Sequence, residues 1–298
     1  MNVLLTRDHE LRSGWKFAAY ALLFLVLLIG AVFATGLIFD TDSAPEDQLT
    51  ALALQAVVFF IPAAGALAVM ARFVEHRPLW HFGVALHEKW PNDLGFGFFV
   101  GLGMLVVLAA GSFAFGTLAV AWTGSNATAP ELTVTVLVLL ASAANEELMF
   151  RGYPLQVLMR GIGAWPAMVI TSLIFGGVHA SNPNASPLGT VNTFLAGLML
   201  SLAYVKTRSL WLPYGIHIGW NLGLGFIMGF PLSGIDIASV WSSSATGPEL
   251  ILGGSYGPEG GLLATFIFIG AAVTIRAAGA VDISPRMRAV LAGGLREK

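Results

Sequence analysis

Eight long apolar runs, separated mostly by short polar loops, constrain this chain more than any other feature of its sequence. In a lipid bilayer such runs form helices, because a helix satisfies its own backbone hydrogen bonds. Only 11% of the residues are charged, against about 25% in soluble domains. The pattern predicts an all-α fold, a polytopic transmembrane helix bundle in which residues 1–298 form a single transmembrane domain. The eight expected spans are 17–39, 49–71, 94–121, 132–158, 164–180, 190–205, 210–230 and 261–275.

The basic residues are segregated along the chain. Fourteen of the 15 Lys and Arg residues lie before the first span, after an even-numbered span or in the tail, and the alternate loops carry only acidic charges. Cytoplasmic loops are enriched in basic residues, so we expect both termini in the cytoplasm and a multi-pass protein of the cell (cytoplasmic) membrane. The first run could also be a signal peptide, but 17–39 is longer than the roughly 7–15 apolar residues of a signal-peptide core.

The composition also limits the chemistry. No cysteine is present, which excludes disulfides, a thiolate nucleophile and a Cys-ligated metal. The net charge of -2 gives no indication of a nucleic-acid partner, and nothing in the sequence indicates an oligomeric state. Four histidines in cytoplasmic segments are expected on solvated faces: His9, His76, His81 and His87.

The longest non-cytoplasmic loop, residues 231–260, is rich in Gly and Ser. We refer to it as the outer segment. Loops of this length are often functional but need not be. The sequence leaves three interpretations of the outer segment open: a lid, a partly re-entrant segment or a plain connection.

Three ionisable residues interrupt the fourth apolar run: Glu146, Glu147 and Arg151. A charge at the centre of a membrane helix costs about 2.5–3.5 kcal/mol on insertion scales, so we expect these residues to pair or to do chemistry. Glu147 and Arg151 are four residues apart with the acid first, the better orientation for a helical ion pair. Glu146 is turned about 100° from Glu147 and is therefore a candidate general base or acid facing another partner. Residues 152–154 (Gly-Tyr-Pro) weaken the helix and would admit water.

Two other spans carry polar side chains at helical spacing. Phe175 and His179 share one face of the fifth span, and the glycines at 176–177 would allow another helix to approach closely. His217 and Asn221 share one face of the seventh span. Two hydrogen-bond donors that meet at one point could stabilise an oxyanion or polarise a carbonyl.

Each of these residues alone also has a structural interpretation. A single histidine or asparagine in a membrane helix often makes an interhelical hydrogen bond, and Glu147 with Arg151 is typical of a structural pair. The prediction of a site depends on the whole set, because the polar residues occupy three spans while the other five spans contain no internal charge.

The three patterns together resemble the motifs of the CPBP family of intramembrane proteases, which includes the CAAX prenyl proteases and bacteriocin-processing or immunity relatives. The resemblance covers about residues 130–225, and the motifs occur in the family's order. They are Glu146-Glu147-x-x-x-Arg151, Phe175-x-x-x-His179 and His217-x-x-x-Asn221.

This resemblance implies an intramembrane endopeptidase acting on a peptide or a membrane-anchored protein within the lipid bilayer. Glu146 would activate water, His179 would place or protonate that water, and His217 with Asn221 would stabilise the tetrahedral oxyanion. The supporting residues would be Glu147, Arg151 and Phe175.

Two alternatives stay open at this point. Glu146, His179 and His217 could supply three ligands to zinc, although a carboxylate-activated water without a metal or other cofactor is favoured. The same buried polar cluster could instead serve a non-catalytic membrane protein, such as a transporter-like protein or a scaffold or immunity protein.

The depths of the motifs conflict if Arg151 marks the cytoplasmic end of its span. Glu146 would then lie near the cytoplasmic surface, whereas His179 would lie roughly 28 Å across the membrane from Arg160 at 1.5 Å per residue. The conflict shrinks if the fourth helix continues to Arg160.

Overall fold

Helices account for most of the backbone that the computed structural model describes, which comprises residues 4–5, 10–38, 48–121, 127–279 and 281–292. The α-helices are α1 (Ser13–Ile38), α2 (Gln48–Val69), α3 (Trp90–Ala114), α4 (Ala129–Glu147), α5 (Tyr153–Ile162), α6 (Ala164–His179), α7 (Pro187–Thr207), α8 (Trp211–Asn221), α9 (Glu249–Leu252), α10 (Leu262–Ala277) and α11 (Pro285–Leu291). Three π-helical turns extend α2, α4 and α8: Met70–Val74, Leu148–Gly152 and Leu222–Ile227. Short 3-10 turns lie at Leu79–Phe82, Gly254–Tyr256 and Pro258–Gly260, and the strands are β1 (Leu118–Ala121) and β2 (Ser242–Ala245).

Five helical stretches are long and apolar enough to cross a membrane, which fits a multi-pass membrane protein. Two shorter apolar helices, α6 and α10, accompany them. The count of eight spans and the cytoplasmic placement of both termini stay predictions. Arg7, His9, Arg296 and Lys298, which entered the sequence predictions, lie outside the described residues. The five stretches are Ser13–Leu37, Ala53–Val74, Trp90–Ala114, Ala129–Ile162 and Pro187–Thr207.

The third predicted span, 94–121, is wrong at its C-terminal end. α3 ends at Ala114, and Gly116 has a left-handed φ of 63°, which turns the chain out of the helix. The apolar residues that follow form β1, which pairs antiparallel with β2 of the outer segment. Hydropathy alone could not separate this apolar strand from the apolar helix before it.

Glycines bring α3 and α8 into backbone contact. A Cβ on Gly101 would lie only 2.7 Å from the backbone nitrogen of Trp220, and a Cβ on Gly215 would lie 3.0 Å from that of Phe98. Gly97 and Gly219 repeat this contact one turn away. Small residues at four-residue spacing allow such close helix packing in membranes, so α3 fixes the position of the helix that carries His217 and Asn221.

α6 packs against α7 in a similar way. A Cβ on Gly176 would lie 3.1 Å from the carbonyl oxygen of Thr190, and one on Gly197 would lie 3.1 Å from the Cα of Ser172. The expectation of close approach at 176–177 holds for Gly176. It is wrong for Gly177, because a Cβ there meets nothing within 4 Å among the described residues.

A cluster of ion pairs and hydrogen bonds joins several helices at one end of the bundle. The buried Oε1 of Glu75, just after the π-turn of α2, accepts hydrogen bonds from the hydroxyl of Tyr153 (3.0 Å) and from Nη2 of Arg160 (2.6 Å). Nζ of Lys16 in α1 lies 3.4 Å from the same oxygen. Lys206 at the end of α7 donates to the carbonyl of Arg276 in α10 at 2.8 Å. These contacts gather basic residues at this end, which we call the basic end.

His87 departs from its prediction, because its side chain is buried rather than solvated. Its Nδ1 accepts a hydrogen bond from the backbone N–H of Lys89 at 3.2 Å, and its Nε2 lies 3.6 Å from the buried carboxylate of Asp93. Burial lowers the pKa of His87 below its ordinary value. The loop 83–89 folds against α8, as the hydrogen bond from Leu210 N–H to the carbonyl of Gly83 shows, and no periodicity in the sequence reports that packing.

Candidate active site

The structure brings the three motifs together inside the bundle. Oε2 of Glu146, near the end of α4, lies 3.7 Å from Nε2 of His217 in α8 and 3.9 Å from Nε2 of His179, the last residue of α6. Asn221, one turn after His217, lines the same cavity. The four residues predicted from the sequence as catalytic therefore surround one space.

The conflict over depth is resolved by the length of the fourth helical stretch. The helix continues past Arg151 through the π-turn and α5, so that Ala129–Ile162 forms one stretch. At 1.5 Å per residue, Glu146 lies about 21 Å from Arg160, and His179 lies about 23 Å from Ala164 at the start of α6. The two helices run in opposite directions from a shared turn, so both side chains reach a similar depth.

The π-turn Leu148–Gly152 begins directly after the paired acids. It ends at Gly152, the first of the residues 152–154 at which the sequence predicts a weakened helix. Single π-helical turns inside α-helices are rare and often mark functional sites.

Glu147 joins two of the motifs. Its Oε1 accepts hydrogen bonds from Nη1 of Arg151 at 3.0 Å and from Nδ1 of His217 at 2.9 Å. The side chains of Glu147 and Arg151 are each only 1% exposed. Arg151 also donates to the carbonyl of Gly197 at 3.2 Å. The predicted ion pair is present, and it orients the imidazole of His217 as well.

Phe175 closes the other side of this cluster. Its ring lies 4.6 Å from the guanidinium carbon of Arg151, within the range of a cation–π contact. The ring also packs edge-on against Phe150 and in a tilted arrangement against the imidazole of His179. Phe175 therefore supports both the buried arginine and the histidine one turn later.

The hydrogen bonds determine which imidazole nitrogens carry protons. Nδ1 of His179 lies 2.8 Å from the carbonyl oxygen of Phe175, which can only accept, so this nitrogen must donate. Nδ1 of His217 donates to the Glu147 carboxylate for the same reason. In the neutral form of each ring, Nε2 then presents a lone pair toward Glu146, and a protonated ring presents an N–H.

The space between these groups is a cavity of about 220 Å³. That volume holds several water molecules. Glu146 has a side chain 25% exposed and accepts no hydrogen bond from any residue that the structure describes. A carboxylate that lies 3.7 and 3.9 Å from two imidazole nitrogens and lines a cavity large enough for water is suited to bind and polarise a water molecule.

The cavity is also lined by a second carboxylate, that of Glu259, which the sequence motifs did not reveal. Oε1 of Glu259, in the outer segment, accepts a hydrogen bond from Nε1 of Trp220 at 2.9 Å. Its Oε2 accepts from the backbone N–H of Ser233 at 2.6 Å and from the hydroxyl of Ser233 at 2.7 Å. Asn182, three residues after His179, donates to the carbonyl of Ser233 at 3.0 Å. Glu259 thus links the outer segment to Trp220, the residue before Asn221 in α8.

Sequence reasoning placed Glu259 only in a non-cytoplasmic loop. The one available signal was an acid between Pro258 and Gly260, immediately before the last span. Both ends of the outer segment line the cavity, at Ser233 and at Glu259, and its three interpretations stay predictions.

The arrangement that most resembles a metal site is Glu146 with the Nε2 atoms of His179 and His217. Carboxylate and imidazole are side-chain types that hold catalytic zinc. Within the described ranges, no group of three or more His, Asp or Glu side chains is placed to hold a metal ion.

Fold and site together define a polytopic helical membrane protein with a carboxylate and two histidines around an internal cavity. Residues 127–223 match the model of the Rce1-like family, described as type II CAAX prenyl endopeptidase Rce1-like. This match confirms the resemblance predicted from the three motifs, all of which fall within the matched residues.

The chain is also similar to an uncharacterized 24.3 kDa protein of Escherichia coli, with 34% identity over 101 residues. The alignment covers 33% of this chain and 46% of that protein, so the chain spans about half the length of this relative.

Proposed function

We propose that this protein is an intramembrane endopeptidase that hydrolyses a peptide bond with a water molecule activated by Glu146. The observation that carries the proposal is the position of Glu146, whose carboxylate lies 3.9 and 3.7 Å from Nε2 of His179 and His217 in the wall of an internal cavity. The family model that residues 127–223 match is described as a type II CAAX prenyl endopeptidase, which supports peptide hydrolysis over other reactions of water.

In the proposed reaction, Glu146 accepts a proton from water as the water oxygen attacks the carbonyl carbon of the substrate. His179 orients this water through Nε2, because its other nitrogen is held by the carbonyl of Phe175. The new C–O bond converts the carbonyl oxygen into an oxyanion. Glu146 then delivers the proton to the amide nitrogen as the C–N bond breaks.

His217 and Asn221 are assigned to the oxyanion. For Nε2 of His217 to donate to the oxyanion, the ring must carry a proton on both nitrogens, because Nδ1 already donates to Glu147. Preorganised donors of this kind contribute about 2.7–4 kcal/mol each when measured by mutation in other hydrolases. Arg151 balances part of the charge on Glu147 and keeps this carboxylate in place.

The test compares wild-type protein with Glu146→Gln, which keeps the side-chain shape and removes the base. Cells carrying either form are compared by proteomics, and a substrate found there is then incubated with each protein purified in detergent. We expect Glu146→Gln to fold with the wild-type yield and to lose about 10²–10⁴-fold in cleavage rate, the usual contribution of a general base. Glu249→Gln, a matched change at an exposed acid of the outer segment, should behave as wild type.

The non-catalytic alternative makes the opposite prediction for the same cells. A transporter-like, scaffold or immunity protein would produce no peptide that depends on Glu146. Identical cleavage products in wild-type and Glu146→Gln cells would overturn the proposed function.

A further inference from the structure

The cavity extends from Glu146 in one direction only. Its polar lining lies in the N-terminal thirds of α2 and α7, on α4 ahead of Glu146 and on the outer segment, all away from the basic end. These residues are Gln55 of α2, Thr135 and Ser142 of α4, Thr193 of α7, and Ser233 and Glu259 of the outer segment. Gln55 is exposed and Ser142 is half-buried, so polar side chains continue from the site toward the end of the bundle where these helices begin.

In the opposite direction the bundle is closed by packed apolar side chains. Phe150, Leu155, Leu212 and Ile216 are each at most 5% exposed. They fill the space between Glu146 and the basic end, together with the buried guanidinium of Arg151. Interiors packed at this density leave no passage for a polypeptide.

The basic end can be assigned to a side of the membrane. It holds Lys16, Arg160 and Lys206 in contacts that join several helices. Cytoplasmic surfaces are enriched in Lys and Arg, which places the basic end in the cytoplasm. The end that holds the outer segment, with Asp236 and Glu249, then faces the other side.

We propose that the cavity opens to the non-cytoplasmic side of the membrane and takes its substrate there, as a polypeptide segment exposed on or anchored in the outer leaflet. The substrate class rests on the proposed function. The direction of the opening rests on the distribution of lining residues, and its assignment to the non-cytoplasmic side rests on the position of the basic end. The outer segment forms one wall of the opening, since Leu232, Ser233 and Ile235 face the cavity while Glu259 holds them in place.

The chain contains no cysteine, so single thiols can report accessibility without background. The test variant is Ser142→Cys, one turn before Glu146. Ser244→Cys in β2 reports the end that holds the outer segment, and Ala292→Cys, just after α11, reports the basic end; both positions are exposed. Each variant is treated with a membrane-impermeant maleimide in sealed right-side-out and inside-out vesicles, and again in detergent to establish that its thiol reacts.

We expect Ser142→Cys and Ser244→Cys to react at least 10-fold faster in right-side-out vesicles, and Ala292→Cys to show the reverse. Reaction of Ser142→Cys only from the side of Ala292→Cys, or from neither side, would overturn the direction of the opening. Reaction of Ala292→Cys from outside would overturn its assignment to the non-cytoplasmic side.

Labelling does not require catalysis, so the same measurement in a Glu146→Gln background separates the two proposals. If Ser142→Cys still reacts from the non-cytoplasmic side while no Glu146-dependent cleavage product is found in cells, the access route stands and the proposed function fails.

Discussion

The carboxylates of Glu75 and Glu259, at the two ends of the bundle, differ in their hydrogen-bond partners from the carboxylate of Glu146 in its middle. Glu75 at the basic end has three donor groups at a single oxygen, and Glu259 in the outer segment accepts hydrogen bonds at both oxygens. Glu146 lies between them and has no donor among the described residues closer than the imidazoles at 3.7 and 3.9 Å. The end carboxylates hold elements of the bundle together through hydrogen bonds, whereas Glu146 accepts none from the described residues and is the carboxylate that the proposed function uses.

Glu147 sharpens this contrast, because it is adjacent to Glu146 yet belongs with the structural group. It is 1% exposed and shared between Arg151 and His217. Removing one partner of a buried ion pair costs far more than the pair contributes, since it leaves a charge without compensation.

The largest effect on stability is therefore expected from Glu147→Gln. It leaves the buried Arg151 without its counter-charge and should lower the free energy of unfolding by about 3–5 kcal/mol. Folded yield and thermal unfolding in detergent measure this, with Glu146→Gln as the matched control. Equal yield and full activity in both variants would contradict the division of roles between the two acids.

The next largest effect is expected where α8 is held against α3. Gly101→Ala places a methyl group against the backbone of α8, and overpacking of this kind costs about 1–3 kcal/mol and shifts the backbone. The same shift moves His217 and Asn221. The cleavage rate should therefore fall by more than the loss of folded protein accounts for.

Gly103→Ala is the control for that change. It lies on the same helix, but nothing described lies within 4 Å of its added Cβ, and Ala is the better helix former. A loss of stability in Gly103→Ala equal to that in Gly101→Ala would show that the contact with α8 is not the cause.

The sequence predicts contacts between residues close together in the chain, and it misses contacts between residues far apart in the chain. Glu147–Arg151, Phe175–His179 and the shared face of His217 and Asn221 follow from helical periodicity, because residues four apart are neighbours on any helix. The convergence of the three helices came from the family resemblance, since spacing along one helix carries no information about another.

The contacts missed from the sequence all join distant elements. The pairing of β1 with β2, the burial of His87 and the hydrogen bond from Trp220 to Glu259 depend on how loops fold back onto helices. No periodic pattern marks such contacts, and an apolar strand next to an apolar helix has the same hydropathy as a longer helix. The sequence therefore predicted residues that meet around the cavity, whereas it did not predict the outer wall of the cavity.

Glu75→Gln should have a moderate effect on stability and little effect on catalysis. The change keeps an acceptor but removes the charge that faces Arg160 and Lys16, and hydrogen bonds to charged groups contribute about 1.5–3 kcal/mol. We expect thermal unfolding to shift downward while the cleavage rate per folded molecule stays at the wild-type value. A proportionate loss of rate per folded molecule would mean that the basic end is coupled to the site.

Glu259→Gln is expected to affect substrate binding more than chemistry. An amide in place of the carboxylate turns an NH₂ group toward either Trp220 Nε1–H or Ser233 N–H, so one donor loses its acceptor and the outer segment loosens. Because the outer segment forms a wall of the cavity and touches no reacting atom, KM should rise several-fold while kcat changes little. Loss of kcat with unchanged KM would instead assign Glu259 a direct part in the reaction.

The smallest effect is expected from metal removal. If Glu146 alone activates water, dialysis of the purified protein against a chelator should leave the cleavage rate unchanged, and added zinc should not raise it. Lower activity after chelation, restored by adding zinc back, would move Glu146 from the role of base to that of a ligand, because the same oxygen cannot hold the metal and accept the water proton at once. His179 and His217 would then supply Nε2 lone pairs as the remaining ligands. In that case Glu146→Gln would also lower zinc affinity, which a direct binding measurement on the two proteins would reveal.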